Sequence, residues 1–334
     1  MIGYYIHHHG HGHRMRASSI SAQLQSPVTT LSSAPPPPAG RFADSIALAR
    51  DDRGSDPVNP TADGALHWAP THDNGLRTRM ARIVSWIDAT RPALVVVDVS
   101  VEVAALVRLL GVPVVLIAMP GERSDAPHHL GYQLADHIIA AWPQNLYDPR
   151  WLREFAHKTT FVGGISRFEG RAVTAPAPSG QTRILVLSGA GGTSLTMDDI
   201  RRCAHEHRNY RWQALGIPGA PWAEDPWPHL CGCDVIVSHA GQNAVADIAA
   251  ARRPAIIIGQ PRPFDEQVET TRALGNAGLA VSIPRWPETS QWPQLVDRAL
   301  ALGGERWVRW QTSGAAARAA AVIDSVAKRA GGLR

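Results

Sequence analysis

Short runs of β-branched and aliphatic residues alternate with helical patterns along almost the whole chain. The runs ALVVVDV (93–99) and PAIIIGQ (254–260) are apolar at nearly every position, which is typical of parallel strands covered on both faces. The predicted strands are 2–8, 28–33, 93–99, 112–119 and 137–142, then 183–189, 211–217, 234–240, 254–260 and 279–284. The predicted helices are 15–24, 75–89, 100–111 and 128–136, then 195–206, 243–252, 266–277, 292–302 and 305–329. The alternation occurs twice and therefore predicts two doubly wound α/β domains.

A stretch rich in Pro, Ala, Gly and Ser, GRAVTAPAPSGQT (170–182), separates the two halves and indicates a linker. We therefore expect one domain over residues 1–169 and a second over 183–313. The remaining segment, 314–334, has the pattern of a helix with an apolar Ala, Val and Ile face.

The charge distribution argues against a nucleic-acid partner. The chain has 33 Lys and Arg and 29 Asp and Glu residues, a net charge of +4, and neither half carries a basic tail. No run of 18 apolar residues indicates a transmembrane helix, and the N-terminus lacks a secretory leader pattern. Three cysteines do not make a disulfide framework, so a reducing cytoplasm is the expected location.

Two glycine turns follow predicted strands at equivalent places in the two halves. In the first, Gly10 and Gly12 allow a tight turn before a helix, and a helix N-terminus offers free N–H groups to an anion. His13 stands where strand meets helix and can take a proton near neutral pH; the alternative is that it caps the helix turn. In the second, Gly191 and Gly192 allow a ligand to approach the backbone. Together the turns predict a cleft between the domains.

The most informative stretch is CDVIVSHAGQNAVADIA (233–249). A buried strand delivers His239 to its end, Gly241 makes the turn, and a helix from about Asn243 points its N-terminus at the same spot. Such a site can hold a diphosphate without a metal, and no D-x-D motif occurs in the chain. Asp247 lies one turn deeper and can reach a vicinal diol such as a ribose.

This pattern, S-H-A-G-x-N…D/E-I-A followed by P-A-I-I-I-x-x-P…D-x-Q, resembles the nucleotide-binding half of GT-B glycosyltransferases, especially MurG-like N-acetylglucosaminyltransferases. The resemblance covers most of residues 183–285 and extends more loosely to G-x-G-H-x-x-R at 10–16. It implies a GT-B fold, in which two Rossmann-like domains, acceptor-side and then donor-side, face across a cleft. It also implies that the terminal helix packs back on the first domain.

The resemblance also implies roles for individual residues. His13 would be the base that activates the acceptor, and Asp98 or Asp125 would orient or replace it; the alternative for Asp98 is a helix cap. The implied donor diphosphate ligands are His239, Gly241, Gln242, Asn243, Gly191 and Gly192. The implied ribose and sugar ligands are Asp247, Asp265, Glu266 and Gln267, and the implied acceptor-side residues are Gly12, Arg16 and Asp125. Ala244 and Asp247 depart from the family's Ser or Thr and Glu, which indicates an unusual donor or an inactive relative.

The expected function is metal-independent, inverting transfer of a sugar from a nucleoside diphosphate, UDP above all, to an acceptor hydroxyl. The nucleotide sugar is a co-substrate, and no other cofactor is expected. The acceptor is left open between a lipid-linked sugar, a natural product and a polysaccharide, and peripheral membrane contact is left open with it. Two alternatives remain: a nucleotide-sugar 2-epimerase, which would need further carboxylates in the cleft, and a non-catalytic nucleotide-sugar-binding regulator or partner subunit.

Overall fold

The computed structural model describes residues 1–8, 11–35, 42–52, 54, 56–189 and 191–331, so Gly10 of the first glycine turn lies outside it. Its strands form two sheets in which every ladder is parallel. The first has the order β3-β2-β1-β4-β5-β6-β7 and the second β12-β11-β10-β8-β9. The strands are β1 (Ile2–Ile6), β2 (Val28–Ser32), β3 (Asp44–Ala47), β4 (Leu94–Asp98), β5 (Val114–Ala118), β6 (His137–Ala140), β7 (Thr159–Phe161), β8 (Thr182–Leu187), β9 (Tyr210–Leu215), β10 (Val235–His239), β11 (Ala255–Ile258) and β12 (Val281–Ile283).

Helices connect these strands and cover both faces of each sheet, which explains the nearly continuous apolar runs. The helices are α1 (His11–Ser21), α2 (Asn74–Thr90), α3 (Val101–Leu109), α4 (Ala126–Leu134), α5 (Arg150–Arg153), α6 (Met197–Glu206), α7 (Trp227–Gly232), α8 (Gln242–Ala251), α9 (Glu266–Asn276), α10 (Trp292–Leu302) and α11 (Ala315–Gly331). Side chains cap several N-termini; Asp73 begins α2 and Ser100 begins α3. The prediction of two Rossmann-like domains is confirmed.

Each sheet reverses its strand order at one place, where a ligand crevice opens in doubly wound folds. In the first sheet β1 lies between β2 and β4. The chain leaves β1 and β4 toward opposite sides of the sheet, so a crevice opens between the loops that follow them. In the second sheet β8 lies between β9 and β10. The turns that follow these central strands therefore hold the residues that face the cleft.

The C-terminal helix α11 packs on the first sheet, against α1, β4 and β6. Its Ala319, Ile323 and Val326 are buried in one cluster with Ile2 and Val96. The limits of the predicted domains and linker stay predictions, because element bounds alone do not define them. Within the described ranges, no helix has both the length and the apolar character needed to cross a bilayer.

Several predicted elements were wrong in their bounds or missing. The helix expected over 15–24 begins at His11, and the one expected over 305–329 is interrupted. Its first part is a 3-10 helix over Glu305–Trp310, after which Gln311 and Gly314 take positive φ values. The elements that were not predicted are β3, β7, α5 and α7. These are short, and the two strands lie at sheet edges with exposed or half-buried side chains, so no apolar run marks them.

Candidate active site

The first half of the site is a histidine and an aspartate on neighbouring strand ends. Because α1 begins directly after β1, His13 lies in the first helical turn at the cleft edge. Asp98 is the last residue of β4 and is fully buried. His13 Nδ1 lies 3.0 Å from Asp98 Oδ1. An Nδ1–H that donates to this carboxylate leaves Nε2 as the basic nitrogen.

Arg16 keeps the Asp98 carboxyl ionised. Its Nε donates to Asp98 Oδ2 at 3.1 Å and its Nη2 to Oδ1 at 2.6 Å. Burial alone would raise the pKa of Asp98, but the Arg16 charge and the bonds from Arg16 and His13 hold that pKa well below its usual range. Asp98 is therefore a carboxylate at neutral pH. It does not cap α3, because Ser100 does.

The second half of the site lies at the N-terminus of α8, where Gly241 is the N-cap residue. The side chains of the next two residues face the other domain: Gln242 accepts a hydrogen bond from Arg16 Nη1, and Asn243 Nδ2 donates to Gly12 O at 2.9 Å. Both side-chain amides are thus engaged with the first domain, so only the backbone N–H groups of Gln242 and Asn243 are available for the expected diphosphate contact. Those groups line the cleft at the positive end of the helix.

His239 ends β10 beside this helix terminus and is buried. Its Nδ1 donates to Ile258 O at 3.3 Å, so Nε2 accepts a hydrogen bond from the Thr193 hydroxyl at 2.9 Å. Burial lowers the pKa of His239, and the Arg262 charge lowers it further. The imidazole is consequently neutral in the absence of an anion.

The second glycine turn lines the cleft beside His239, because Thr193, which follows the turn, donates to His239 Nε2. Gly191 and Gly192 line it, and Gly192 has φ +84°, a left-handed conformation that favours glycine. Arg262 Nη2 donates to the carbonyls of both glycines at 2.7 Å, which places a guanidinium at the cleft. The position of Arg262 follows from the fold and has no strong signal in the sequence.

Asp247 lines the deep end of the cleft and is only 4% exposed. Its Oδ1 accepts a hydrogen bond from Ser166 Oγ at 2.8 Å and its Oδ2 one from Arg167 Nε at 3.1 Å. Burial raises the pKa of Asp247 to about 6, against the effect of these partners. A ribose diol would therefore meet a carboxylate that already has a partner on each oxygen.

The cavity between these two halves has a volume of about 300 Å³ and is lined by both domains. That volume lies within the range of small-molecule sites. Trp222, which is 59% exposed, and Gly216 line the cavity beyond the end of β9. The cavity therefore offers an aromatic surface, a helix N-terminus and a histidine–aspartate pair along one path.

No family model matches the chain, but comparison with curated proteins gives several relatives. The chain is 27% identical over 258 residues to the UDP-N-acetylglucosamine–N-acetylmuramyl-(pentapeptide) pyrophosphoryl-undecaprenol N-acetylglucosamine transferase of Sorangium cellulosum, covering 69% of this chain and 61% of that protein. The corresponding transferase of Shewanella amazonensis is 26% identical over 212 residues, covering 63% and 56%. The chain thus spans about three-fifths of the length of the curated relatives it matches.

Solved structures match over nearly the whole chain. The glycotransferase of kitacinnamycin superposes with a TM-score of 0.65 at 12% identity, covering 97% of this chain and 98% of that one. MurG of Acinetobacter baumannii superposes with a TM-score of 0.59 at 15% identity, covering 97% and 100%. The chain has the GT-B fold. The predicted resemblance to MurG-like transferases is confirmed.

In this GT-B protein, two of the residues expected to hold the donor sugar line the cavity and a third does not. Gln267 is 8% exposed and lines the cavity, and its buried Oε1 has no hydrogen-bond partner among the described residues. Glu266 also lines the cavity. Asp265 does not, because Phe264 and Asp265 both adopt left-handed φ values and turn the Asp265 side chain into solvent. The expected sugar-binding role of Asp265 therefore has no support from its position and stays a prediction.

Asp125 does not touch His13, so the expectation that it orients the base lacks a contact. It caps α4 instead, accepting from the backbone N–H of His128 at 3.0 Å. Its carboxylate also contacts His67 Nε2 at 3.0 Å and His128 Nδ1 at 2.5 Å. The three side chains have the composition of a metal site. Arg123 Nη1 lies 3.1 Å from His128 Nε2, however, and the positive charge of this guanidinium disfavours a cation beside the cluster.

Proposed function

We propose that this GT-B protein is a glycosyltransferase that moves a sugar from a nucleoside diphosphate to an acceptor hydroxyl with inversion. The observation that carries the proposal is the arrangement of one cavity. Half-buried His13, held by buried Asp98, lies on one wall and faces the N-terminus of α8 and His239 on the other. A base and an anion site across a small cleft are the two parts that displacement of a diphosphate requires. The transferase names of the relatives support the same reaction.

The first-domain pair supplies the base. His13 Nε2 takes the proton of the acceptor hydroxyl while Asp98, which stays ionised, stabilises the imidazolium that forms. The acceptor oxygen then attacks the anomeric carbon from the side opposite the diphosphate. Attack from that side inverts the anomeric configuration.

The second domain stabilises the leaving group. Negative charge that develops on the diphosphate meets the backbone N–H groups at the start of α8 and the imidazole of His239. Arg262 adds a permanent positive charge at the same wall. These groups supply the charge stabilisation for which other transferases use a divalent cation, so we propose that the reaction needs no metal.

The remaining length of the cavity accommodates the nucleoside. Trp222 presents an exposed ring on which a base can stack, and Gly216 leaves room beside it. The relatives' names specify a UDP-linked sugar, and we propose a UDP-sugar as the donor. Gln267, with its unpartnered Oε1, would accept a hydrogen bond from a sugar hydroxyl.

A thermal-shift screen of nucleoside diphosphates and their sugars identifies the donor, because stabilisation grows with ligand concentration over the dissociation constant. Diphosphate release is then followed with that donor, with and without EDTA, and the product anomer is read by NMR. We expect activity that is unchanged by EDTA and a product of inverted configuration. His13→Ala should lower kcat by about 10²- to 10⁴-fold while donor binding persists.

His129→Ala is the matched control, because His129 is on α4 and pairs with Glu154 away from the cavity. Its turnover should equal that of the unmodified protein. Donor binding with no turnover on any acceptor would replace the transferase by a nucleotide-sugar-binding protein. Transfer that is indifferent to His13 would remove its role as base.

A further inference from the structure

Arg16 is a buried cation that joins the two domains at the base. It lies one helical turn after His13 on α1 and is 2% exposed. Its guanidinium reaches Asp98 through two nitrogens, Gln242 through Nη1 and Met119 Sδ at 3.3 Å. Gln242 is held in turn, since its Nε2 donates to Ala141 O at 3.4 Å. A cation is therefore fixed between the catalytic carboxylate and the first residue of the donor-side helix.

Among the described residues, few charged or titratable groups face His13. The Asp98 carboxylate faces it from β4, Arg16 Nη2 lies 3.0 Å from its Nδ1, and the ring of His7, which follows β1, packs edge-on at 5.8 Å between centroids. From the second domain, α8 presents the neutral amides of Gln242 and Asn243. Farther from the ring, Tyr4 of β1 and Glu266 of α9 act on Arg16 rather than on the imidazole directly.

The guanidinium and the carboxylate carry opposite charges at nearly equal distances from the ring, so their effects on its protonation oppose each other. Without Arg16, a buried carboxylate would face the imidazole alone. The pair would then retain an extra proton to higher pH, whether that proton is on His13 or on Asp98. A pair that holds this proton cannot accept one from an acceptor hydroxyl.

We propose that Arg16 is a positioning residue whose charge offsets that of Asp98 at the His13 ring, so that the pair can take a proton from an acceptor, and that Gln242 anchors it there from the second domain. The catalytic consequence rests on the proposed function; the charge balance rests on these contacts alone. Because the anchor belongs to α8, the Arg16–Gln242 contact forms only when the donor-side helix is docked against α1.

The test is a titration of the donor-free protein with labelled histidine, in which the His13 ring signal is assigned by its loss in His13→Gln. Arg16→Met removes the charge and should raise the titration midpoint of that signal by about one to two pH units. Arg16→Lys keeps the charge and should shift it by less than about half a unit. Arg108→Met, which removes an exposed arginine of α3 paired with Asp136, is the control and should leave the midpoint unchanged.

Gln242→Met gives a second measurement, because it removes the acceptor that holds Arg16 Nη1 and adds no charge. Without that anchor Arg16 should offset the Asp98 charge less well, so the midpoint should rise, by less than in Arg16→Met. A folded Arg16→Met variant with an unchanged midpoint overturns the proposal. If that variant does not fold, an unchanged midpoint in Gln242→Met overturns it and a raised midpoint supports it.

The same variants separate this inference from the proposed function. If the protein transfers sugar, the acid limb of kcat against pH should move upward with the NMR midpoint in Arg16→Met. If no donor is turned over, the proposed function fails on its own assay, while the NMR comparison still decides the role of Arg16.

Discussion

Asp247 is a buried carboxyl whose ionisation opposes folding. Burial raises its pKa to about 6 from the ordinary value near 3.9, so the folded state binds the proton more tightly than the unfolded chain. This contribution to stability is complete below about pH 3.9 and is lost as the pH rises through 6. Relative to Asp247→Asn, the unmodified protein should lose on the order of 2 kcal/mol of unfolding free energy between about pH 4.5 and 7.5, measured by urea denaturation.

Asp225→Asn provides a control of opposite sign. The pKa of Asp225 is lowered, chiefly by its hydrogen bond from Arg171 at the surface, so its contribution grows with rising pH and is small because the pair is exposed. A stability difference for Asp247→Asn that stays flat or reverses over this range would contradict the raised pKa of the buried Asp247 carboxyl.

Single residues differ in how far the sequence predicts them. His13 and His239 were predictable, because each stands at a strand-to-helix turn, where parallel folds place chemistry. Asp98 was predictable as a charge at the end of an apolar strand. The link from Arg16 to Gln242 was not, since it depends on how closely two domains approach. The sequence marked Arg16 through the G-x-G-H-x-x-R resemblance, as an acceptor-side residue, and its spacing of three residues from His13 puts both on one helix face.

At the scale of the element, β10 ends at His239, and we expect this histidine to take up a proton when the donor binds. His239 is neutral without an anion because burial and the Arg262 charge lower its pKa, against the effect of the hydrogen bond from Nδ1 to Ile258 O. A diphosphate needs a donor at Nε2, so binding should draw a proton onto the ring. Calorimetry of nucleoside diphosphate binding near pH 7, in buffers of different ionisation enthalpy, should show this uptake, and affinity should rise as the pH falls.

His239→Gln is the control variant, because its amide donates a hydrogen bond but cannot take up a proton. Proton uptake that remains in this variant comes from other groups, including the diphosphate itself. It should bind with smaller proton uptake and about tenfold lower affinity. Equal uptake in both proteins would mean that the Thr193 hydroxyl, now bonded to Nε2, turns to the phosphate while His239 stays neutral.

The elements themselves were predictable in proportion to their burial. Strands such as β4 and β11 are covered on both faces and appear as apolar runs. The edge strands β3 and β7 have exposed or half-buried side chains and match no pattern of either period. Helix starts were harder to predict. The helix α1 begins four residues before its predicted start, because its first turn consists largely of glycine and histidine, which are weak helix formers and give no helical signal.

At the scale of the whole molecule, the ring of Phe264 packs between the two domains beside the cavity and stabilises their contact. Phe264 of the second domain packs 4.7 Å from the His128 ring and under the Arg123 guanidinium at 4.6 Å. Its carbonyl accepts the backbone N–H of Glu122 at 2.7 Å. A Cβ on Gly121 would lie 2.3 Å from that same carbonyl, so the two loops can meet only because glycine stands there. The contact holds while the domains are docked.

Phe264→Ala keeps the left-handed backbone with its strain and removes only the ring. Loss of the cation–π contact and of the packing on His128 should make domain opening easier by about 1 to 2 kcal/mol. The amide of Glu122 should then exchange with deuterium about tenfold faster, because that hydrogen bond breaks whenever the domains part. Leu300→Ala, at an exposed position of α10, should leave the rate unchanged. Unaltered exchange at Glu122 in the Phe264 variant would place the docking energy elsewhere, first of all in the buried link between Arg16 and Gln242.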